Sequence, residues 1–347
     1  MTEVAVVGAA GYAGAEAVRL VLGHPRLSLT AVTSAADEGK TVSAVYPSLA
    51  GMTDLVYSAP NVDEIAAEAK VALLAVPHTA ALELVPGLLE RGVTVIDLSA
   101  DYRLADAAVY EAWYDTAHSS PELLAEAVFG LPELDRSRLP GARLVACPGC
   151  YPTATTLAAL PALESGVAIG RRLVVDAKSG VSGAGRGLSA STHFVSVNES
   201  IAPYKVGGTH RHTPEIEQAL STAAGRSISV IFTPHLVPMS RGLLSTVYVD
   251  VEEGFTTAEA VELYRGRYHK EPFVHVYGAG EMPSTGDVRG SNRAAIGVAV
   301  DERTHTLVAA CAIDNLVKGA AGQAIQCLNA VLGYSETEGF ERPGPVV

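Results

Sequence analysis

Cysteine is scarce in this chain, 4 in 347 residues. So few thiols over that length give no disulfide framework, and they point to a reducing cytoplasm. Positive charge is also in short supply: 25 Lys and Arg stand against 38 Asp and Glu, a formal net charge of −13. That balance argues against a general nucleic-acid partner, so an anionic substrate would need local basic residues to hold it. Long apolar runs are missing. The greasiest stretch, Val71–Pro77, is strand-sized and far short of the ~18 residues of a membrane helix. The opening MTEVAVVGAAG carries an acid where a secretory leader has basic residues, and it enters glycines at once.

What remains is 48% hydrophobic and 18% charged, a folded composition too long for one ordinary core, so two domains are expected. In the first half, apolar runs at Val4–Val7, Leu27–Thr33, Val71–Val76, Val93–Leu98 and Ala142–Ala146 alternate with helix-period stretches such as Ala13–Leu22 and Ala80–Arg91. Such alternation predicts a Rossmann-type, doubly wound parallel sheet. After about residue 170 come longer strands joined by turns: Arg172–Lys178, Ile228–Val237, Leu244–Val251, Ala294–Val300 and Thr306–Ile313. They predict an α+β domain with a mostly antiparallel, open sheet, with helices at Pro214–Ala224 and Thr257–His269. The expected division is 1–150, completed by a C-terminal helix at 315–347 whose helical pattern runs from about Leu316 to Leu332, and 151–314. The tail from Ser335 is expected to be loosely held.

Val4 to Gly14 runs from a strand through Gly8, Gly11 and Gly14 into a helix. Glycines there let backbone N–H groups approach a pyrophosphate, whose charge the helix N-terminus favours. As bare punctuation, the same glycines would make a tight turn. Their place directly after the first strand favours nucleotide binding by Gly8, Gly11, Tyr12, Ala13 and Gly14. The second strand ends at Ser34, where an NAD site usually carries an acid for the ribose 2′-hydroxyl. Serine leaves room for a 2′-phosphate, with Lys40 as a candidate cation, so NADP is the expected cofactor.

Residues 147–154 read CPGCYPTA. A structural zinc site needs a second close pair of ligands, which Cys311 and Cys327 do not make, so no metal is expected. A redox dithiol would need a thioredoxin-type fold, which nothing else suggests. Cys150 follows a strand and precedes a helical stretch, with Gly149 fit for a sharp turn and Pro152 for a first helical position. A thiol at a helix N-terminus has its thiolate stabilised by the dipole. Cys150 is therefore the candidate nucleophile, and Cys147, at the strand end, a packed small hydrophobe.

Three stretches now carry a likeness: Pro148–Thr153, Tyr204–Ile216 (YKVGGTHRHTPEI) and Asp314–Gln323 (DNLVKGAAGQ). With the glycine turn, they resemble the N-acetyl-gamma-glutamyl-phosphate reductases, members of the semialdehyde dehydrogenase superfamily, over most of the chain. The related aspartate-semialdehyde dehydrogenases tend to have Asn-Cys-Thr where this chain has Gly-Cys-Tyr-Pro-Thr.

The resemblance implies an NADPH enzyme of arginine biosynthesis that acts on a small acyl phosphate and assembles as a homodimer or homotetramer. In it, Cys150 forms a thioester, and His210 or His212 serves as acid/base. A superfamily pattern, a basic substrate-binding residue seven positions before the catalytic histidine, selects His212 and makes Lys205 that basic residue. His210 then falls on the substrate side. From the residues alone, the pair could equally be a helix cap. Arg103 is implied as the grip on the substrate phosphate, as a planar guanidinium suits; otherwise it is a surface ion pair. Ser182, Gly183 and Asn315 are implied on the cofactor side, although Asn315 also fits a plain helix cap. Two other readings stand beside this one: a reductase for the one-carbon-longer N-acetyl-aminoadipyl phosphate, which a pocket separates weakly, and a non-catalytic NADP-binding regulator. A regulator would need neither Cys150 nor the histidines.

Overall fold

The computed structural model describes residues 1–341, 344 and 345. They divide into two compact units, 1–148 with 320–341, and 149–319 with 344–345. The division falls between Pro148 and Gly149, so Cys150 belongs to the second unit, as do Asn315 to Gly319.

The first unit holds six strands: β1 (Thr2–Val7), β2 (Leu27–Thr33), β3 (Val71–Leu74), β4 (Thr94–Asp97), β5 (Val128–Phe129) and β6 (Leu144–Ala146). All pair in parallel, in the order β2-β1-β3-β4-β6-β5. Val4–Val7 and Val71–Leu74 are buried throughout, as strands covered on both faces must be, which is why they read as unbroken apolar runs. Helices Tyr12–Gly23, Val62–Glu68, Ala80–Glu90 and Gly322–Val331 also belong here. The expected tail is held more firmly than its composition suggested. Arg136 pairs with Glu336 at 2.8 Å, and the Asn329 amide donates to the carbonyls of Glu336 and Glu338. The four residues 342, 343, 346 and 347 of that tail lie outside the described residues.

The second unit holds β7 (Arg172–Gly180), β8 (Ala202–Pro203), β9 (Ser229–Val237), β10 (Leu243–Asp250), β11 (Val274–Val276), β12 (Ala294–Asp301) and β13 (Thr306–Ile313). Their order is β11-β12-β13-β10-β7-β9-β8; the β7–β9 and β11–β12 pairs are parallel and the other four antiparallel. The expected open sheet is thus mixed, and the β12–β13 hairpin turns through His305 at φ +53°. Along β7, exposed Arg172 and Val174 alternate with buried Leu173 and Val175, so only one face of the sheet is covered. Helices Cys150–Glu164, Thr213–Ala224 and Thr257–Tyr268 cover it. Tyr264 and Tyr268 tie their hydroxyls to the carbonyls of Ala158 and Leu157, both at 2.6 Å.

Candidate functional site

In the first unit, the three glycines of the turn differ in what they do. Gly8 has φ +80°, and a β-carbon there would lie 2.4 Å from the Ala75 carbonyl oxygen. At Gly14 the added carbon would meet the Gly8 oxygen at 2.3 Å, so both positions are closed to side chains by backbone. At Gly11, φ is −72°, and the nearest atom to an added carbon is 3.5 Å away, an ordinary contact. Nothing inside the unit demands glycine there. The missing side chain leaves open the start of the helix that begins at Tyr12, a cradle that suits a phosphate group. Gly8 and Ala9 donate to the Thr33 carbonyl, at 3.1 and 2.9 Å, which locks the turn to the end of β2.

Tyr12 is exposed and Ala13 half-buried on that first helical turn. Ser34 follows β2 in extended conformation, half-buried, its N–H bonded to the Ser58 carbonyl at 2.9 Å. Lys40 is exposed, and its ammonium pairs with Asp37 at 2.9 Å.

Beyond β4, Arg103 is buried rather than a surface residue. Its Nε donates to the Cys147 carbonyl and an Nη to the Leu98 carbonyl, both at 2.7 Å, so it braces the end of the strand that leads to Cys150. Asp97 beneath it accepts the N–H and hydroxyl of Ser99; burial pushes its carboxyl up to about 7, partly opposed by those bonds. Asp101 accepts from Thr79 and Ala81 N–H and from the Tyr110 hydroxyl, capping the helix Ala80–Glu90 from a distance in sequence.

In the second unit, Cys150 is the first residue of the helix that runs to Glu164, preceded by Gly149 in extended conformation. Cys150 is half-buried, whereas Cys147 in the first unit is buried, its thiol pushed up by contact with the Cys327 sulfur and by burial. Gly149 donates its N–H to the buried Glu215 carboxylate at 2.8 Å. That bond joins the start of the Cys150 helix to the helix that follows His212.

His210 and His212 lie with ring centroids 4.9 Å apart, and both pack edgewise on the ring of Tyr151, at 5.7 and 6.0 Å. His212 precedes the helix Thr213–Ala224 but makes no side-chain cap to it. His210 Nδ1 instead accepts the His212 N–H at 3.1 Å, which leaves its proton on Nε2. Burial, reinforced by the Lys205 charge, lowers His210 to about 4, so this ring is neutral. Lys205 itself is exposed, at φ +47°. Tyr204 donates its hydroxyl to that of Tyr151 at 3.2 Å and packs on His210.

Asn315 comes together with Ser182 and Gly183, which lie far from it in sequence. The Asn315 amide donates to Ser182 Oγ at 2.9 Å and accepts from Gly242 N–H at 2.8 Å, and a β-carbon on Gly183 would lie 3.7 Å from it. Asn315 is not the cap that its residue type allowed. Asp314 fills that place, accepting from Leu316 and Val317 N–H. Among the described residues, no group of three His, Cys, Asp or Glu is placed to hold a metal ion.

Residues 3–142 match the family described as "Semialdehyde dehydrogenase, NAD binding domain", and residues 150–315 match "Semialdehyde dehydrogenase, dimerisation domain". N-acetyl-gamma-glutamyl-phosphate reductase of Syntrophobacter fumaroxidans is 51% identical over 98% of both chains; that of Symbiobacterium thermophilum is 49% identical over 99% of both. The chain belongs to the N-acetyl-gamma-glutamyl-phosphate reductase family. Among solved structures, aspartate semialdehyde dehydrogenase II of Vibrio cholerae superposes with a TM-score of 0.71 at 19% identity, covering 95% of this chain and 98% of that one. The Candida albicans aspartate semialdehyde dehydrogenase solved with NADP gives 0.70 at 15% identity, over 95% and 98%. At such identities, the likeness to this family member is one of fold.

Neither Glu215 nor Gly319 stands out in the sequence as part of the site. The signal for Glu215 was faint: an acid in the first turn of a helix ordinarily answers its own dipole, not a glycine 66 residues away. Gly319, where an added β-carbon would collide with that of Cys150, gave none, since a glycine in a helix reads as tolerated punctuation.

Proposed function

We propose that this chain reduces N-acetyl-gamma-glutamyl phosphate to N-acetylglutamate 5-semialdehyde and phosphate with NADPH. The observation that carries the reading is Cys150 at the first position of its helix, in a chain about half identical, end to end, to reductases of that name. Those names favour the glutamyl substrate over the chain one methylene longer, and the thiol speaks against a non-catalytic regulator.

The residues present suit the cofactor. Gly8, Gly11, Tyr12, Ala13 and Gly14 would hold its pyrophosphate, Ser34 its 2′-phosphate, and Ser182, Gly183 and Asn315 its nicotinamide end. Lys40 enters less directly, because Asp37 already holds its ammonium. When bound, NADPH supplies the hydride that takes an acyl group to the aldehyde level.

The chain's own part starts with the Cys150 thiolate attacking the acyl carbon; the carbon–oxygen bond to phosphate breaks, and phosphate leaves with its electron pair. The thioester so formed lies at the helix start, where the Cys150 N–H can donate to the acyl oxygen. After reduction, His212 handles the proton on that oxygen while the carbon–sulfur bond breaks and returns the thiolate. His210, neutral and bonded to the His212 backbone, orients that segment. Arg103 and Lys205 meet the anionic ends of the substrate.

Dimer or tetramer assembly belongs to the same reading. It is supported by the uncovered sheet face, where Val174, Ile231 and Tyr248 are exposed, and by the description of the matched family. Four free thiols support a cytoplasmic setting.

The assay runs the reaction backwards, with N-acetylglutamate 5-semialdehyde, NADP and inorganic phosphate. Phosphate-dependent formation of NADPH by the wild type, absent in Cys150→Ala, is expected. NADPH formation that ignores phosphate, or none at all, would sink the assignment.

A further inference from the structure

A cavity of about 470 Å³ opens in the first unit between β2, the segment after Leu55, and the helix Val62–Glu68. None of the glycine-turn residues, nor Ser34 or Lys40, lines it. Its volume falls in the range of small-molecule sites. Leu55, Val56 and Ile65 make it apolar on one side, and Thr33 and Ser58 add hydroxyls. Glu64 and Glu68 complete the wall from one face of the helix.

Those carboxylates stand four residues apart, one helical turn, an arrangement that repels. The helix, VDEIAAE, has no basic residue to relieve it. Neighbouring charges are answered: Asp63 pairs with Arg91 at 2.6 Å, and Lys70 with Glu3 at 4.0 Å. Neither Glu64 nor Glu68 has an ion-pair partner among the described residues. Two like charges therefore face a cavity that is otherwise half apolar. A phosphate or carboxylate ligand would meet repulsion there; a cation would be held, and a short hydrocarbon would cover Leu55 and Ile65.

We propose that this cavity binds a small amphiphilic cation, a guanidinium carried on a short alkyl chain. The planar head matches carboxylate oxygens two at a time. The site is separate from the nucleotide turn yet built on the same strand end, since Thr33 both lines the cavity and holds Gly8 and Ala9.

Titration calorimetry of the full chain with butylguanidinium tests it, with the neutral isostere butylurea as control. Saturable binding of butylguanidinium alone is expected, weakened about tenfold or more in Glu64→Gln/Glu68→Gln. NADPH affinity of that variant should stay within about twofold of wild type, since the altered residues are no part of the glycine turn and make no ion pair among the described residues. Equal binding of butylurea, no saturable binding at all, or an undiminished affinity in the double variant would overturn the proposal. Loss of NADPH binding by a folded double variant would overturn it too, by giving the cavity to the nucleotide. Should the variant not fold, Val56→Trp, placed at an exposed lining position, must block the same titration; undiminished binding there counts against the site.

Discussion

A β-carbon added at Gly319 would lie 2.6 Å from the β-carbon of Cys150 and 3.2 Å from its α-carbon. The chain around Gly319 is wound more widely than an α-helix, with the Gly319 N–H reaching the Asp314 carbonyl at 2.9 Å. The stretch expected as one helix from about 316 to 332 is therefore a widened turn, Val317–Ala321, followed by the helix Gly322–Val331. Gly319→Ala should push the start of the Cys150 helix and cost on the order of 10²-fold in kcat, as an ångström of misplacement does. Single-turnover acylation measures it; a normal rate would mean the helix start yields without consequence.

The two thiols of CPGC should behave oppositely. Cys147→Ala should keep measurable turnover with a modestly lowered Tm, since only a buried sulfur is lost. Cys150→Ala should form no thioester. Alkylation followed by peptide mass spectrometry should mark Cys150 first, and faster labelling of Cys147 would reverse the assignment.

For the histidines, His212→Asn should lose roughly 10²–10⁴-fold in kcat, the worth of a positioned proton donor. His210→Asn should be milder, and any limb of the rate profile near neutrality should survive it, because His210 stays neutral down to about 4. The stability consequence has a definite sign. With a folded value of about 4 against 6.5 when unfolded, the unfolded chain binds more protons in that window. Stability is then full above 6.5 and falls as pH drops toward 4, with a slope of up to about 1.4 kcal/mol per pH unit. Urea melts across that range, wild type against His210→Asn, should show the slope reduced in the variant; equal slopes would count against the buried neutral ring.

Part of this architecture is legible in the sequence, and part is hidden by it. The strands at Val4, Val71, Val174 and Leu307 were legible because burial on two faces or one leaves an unbroken or alternating apolar pattern. Residues 35–61 were not, since their turns are three or four residues long and leave no period. The glycine turn could be seen, but only geometry separates Gly8 and Gly14, which packing requires, from Gly11, which it does not. Asn315 fitted a plain cap by its residue type, and the partners that decide against it, Ser182 and Gly242, are distant in sequence. A surface ion pair stayed open as the alternative for Arg103 because nothing local reveals that the Cys147 carbonyl will face it.

Glu215 separates two kinds of damage. Glu215→Gln keeps an acceptor for the Gly149 N–H and should leave Tm nearly unchanged. Glu215→Ala strands that buried N–H at a cost of about 1–3 kcal/mol. Thermal melts of the pair should differ accordingly, and similar Tm values would show that the bond carries little.

Cofactor choice turns on Ser34. NADPH should be preferred over NADH in kcat/KM, and Ser34→Asp should lower the NADPH value roughly tenfold, by setting a carboxylate against the 2′-phosphate. An unchanged ratio of the two cofactors in that variant would move the 2′-phosphate elsewhere.

The helix that begins at Cys150 has no solvent face: Tyr151 to Leu163 are all buried. A helix of this length is marginal in water without tertiary support, and its support comes from β10, β13 and the Thr213 helix. Every one of those elements is made later than Cys150. On the ribosome, at ~5–20 residues per second, the thiol emerges roughly 10–30 s before β13 is complete. Through that interval it is a plain flexible cysteine, open to any oxidant or electrophile and without the helix N-terminus that would set it apart from other thiols. The chain thus exposes its most consequential side chain early and surrounds it late, so the helix N-terminus that sets this thiol apart arrives only once the later strands are in place.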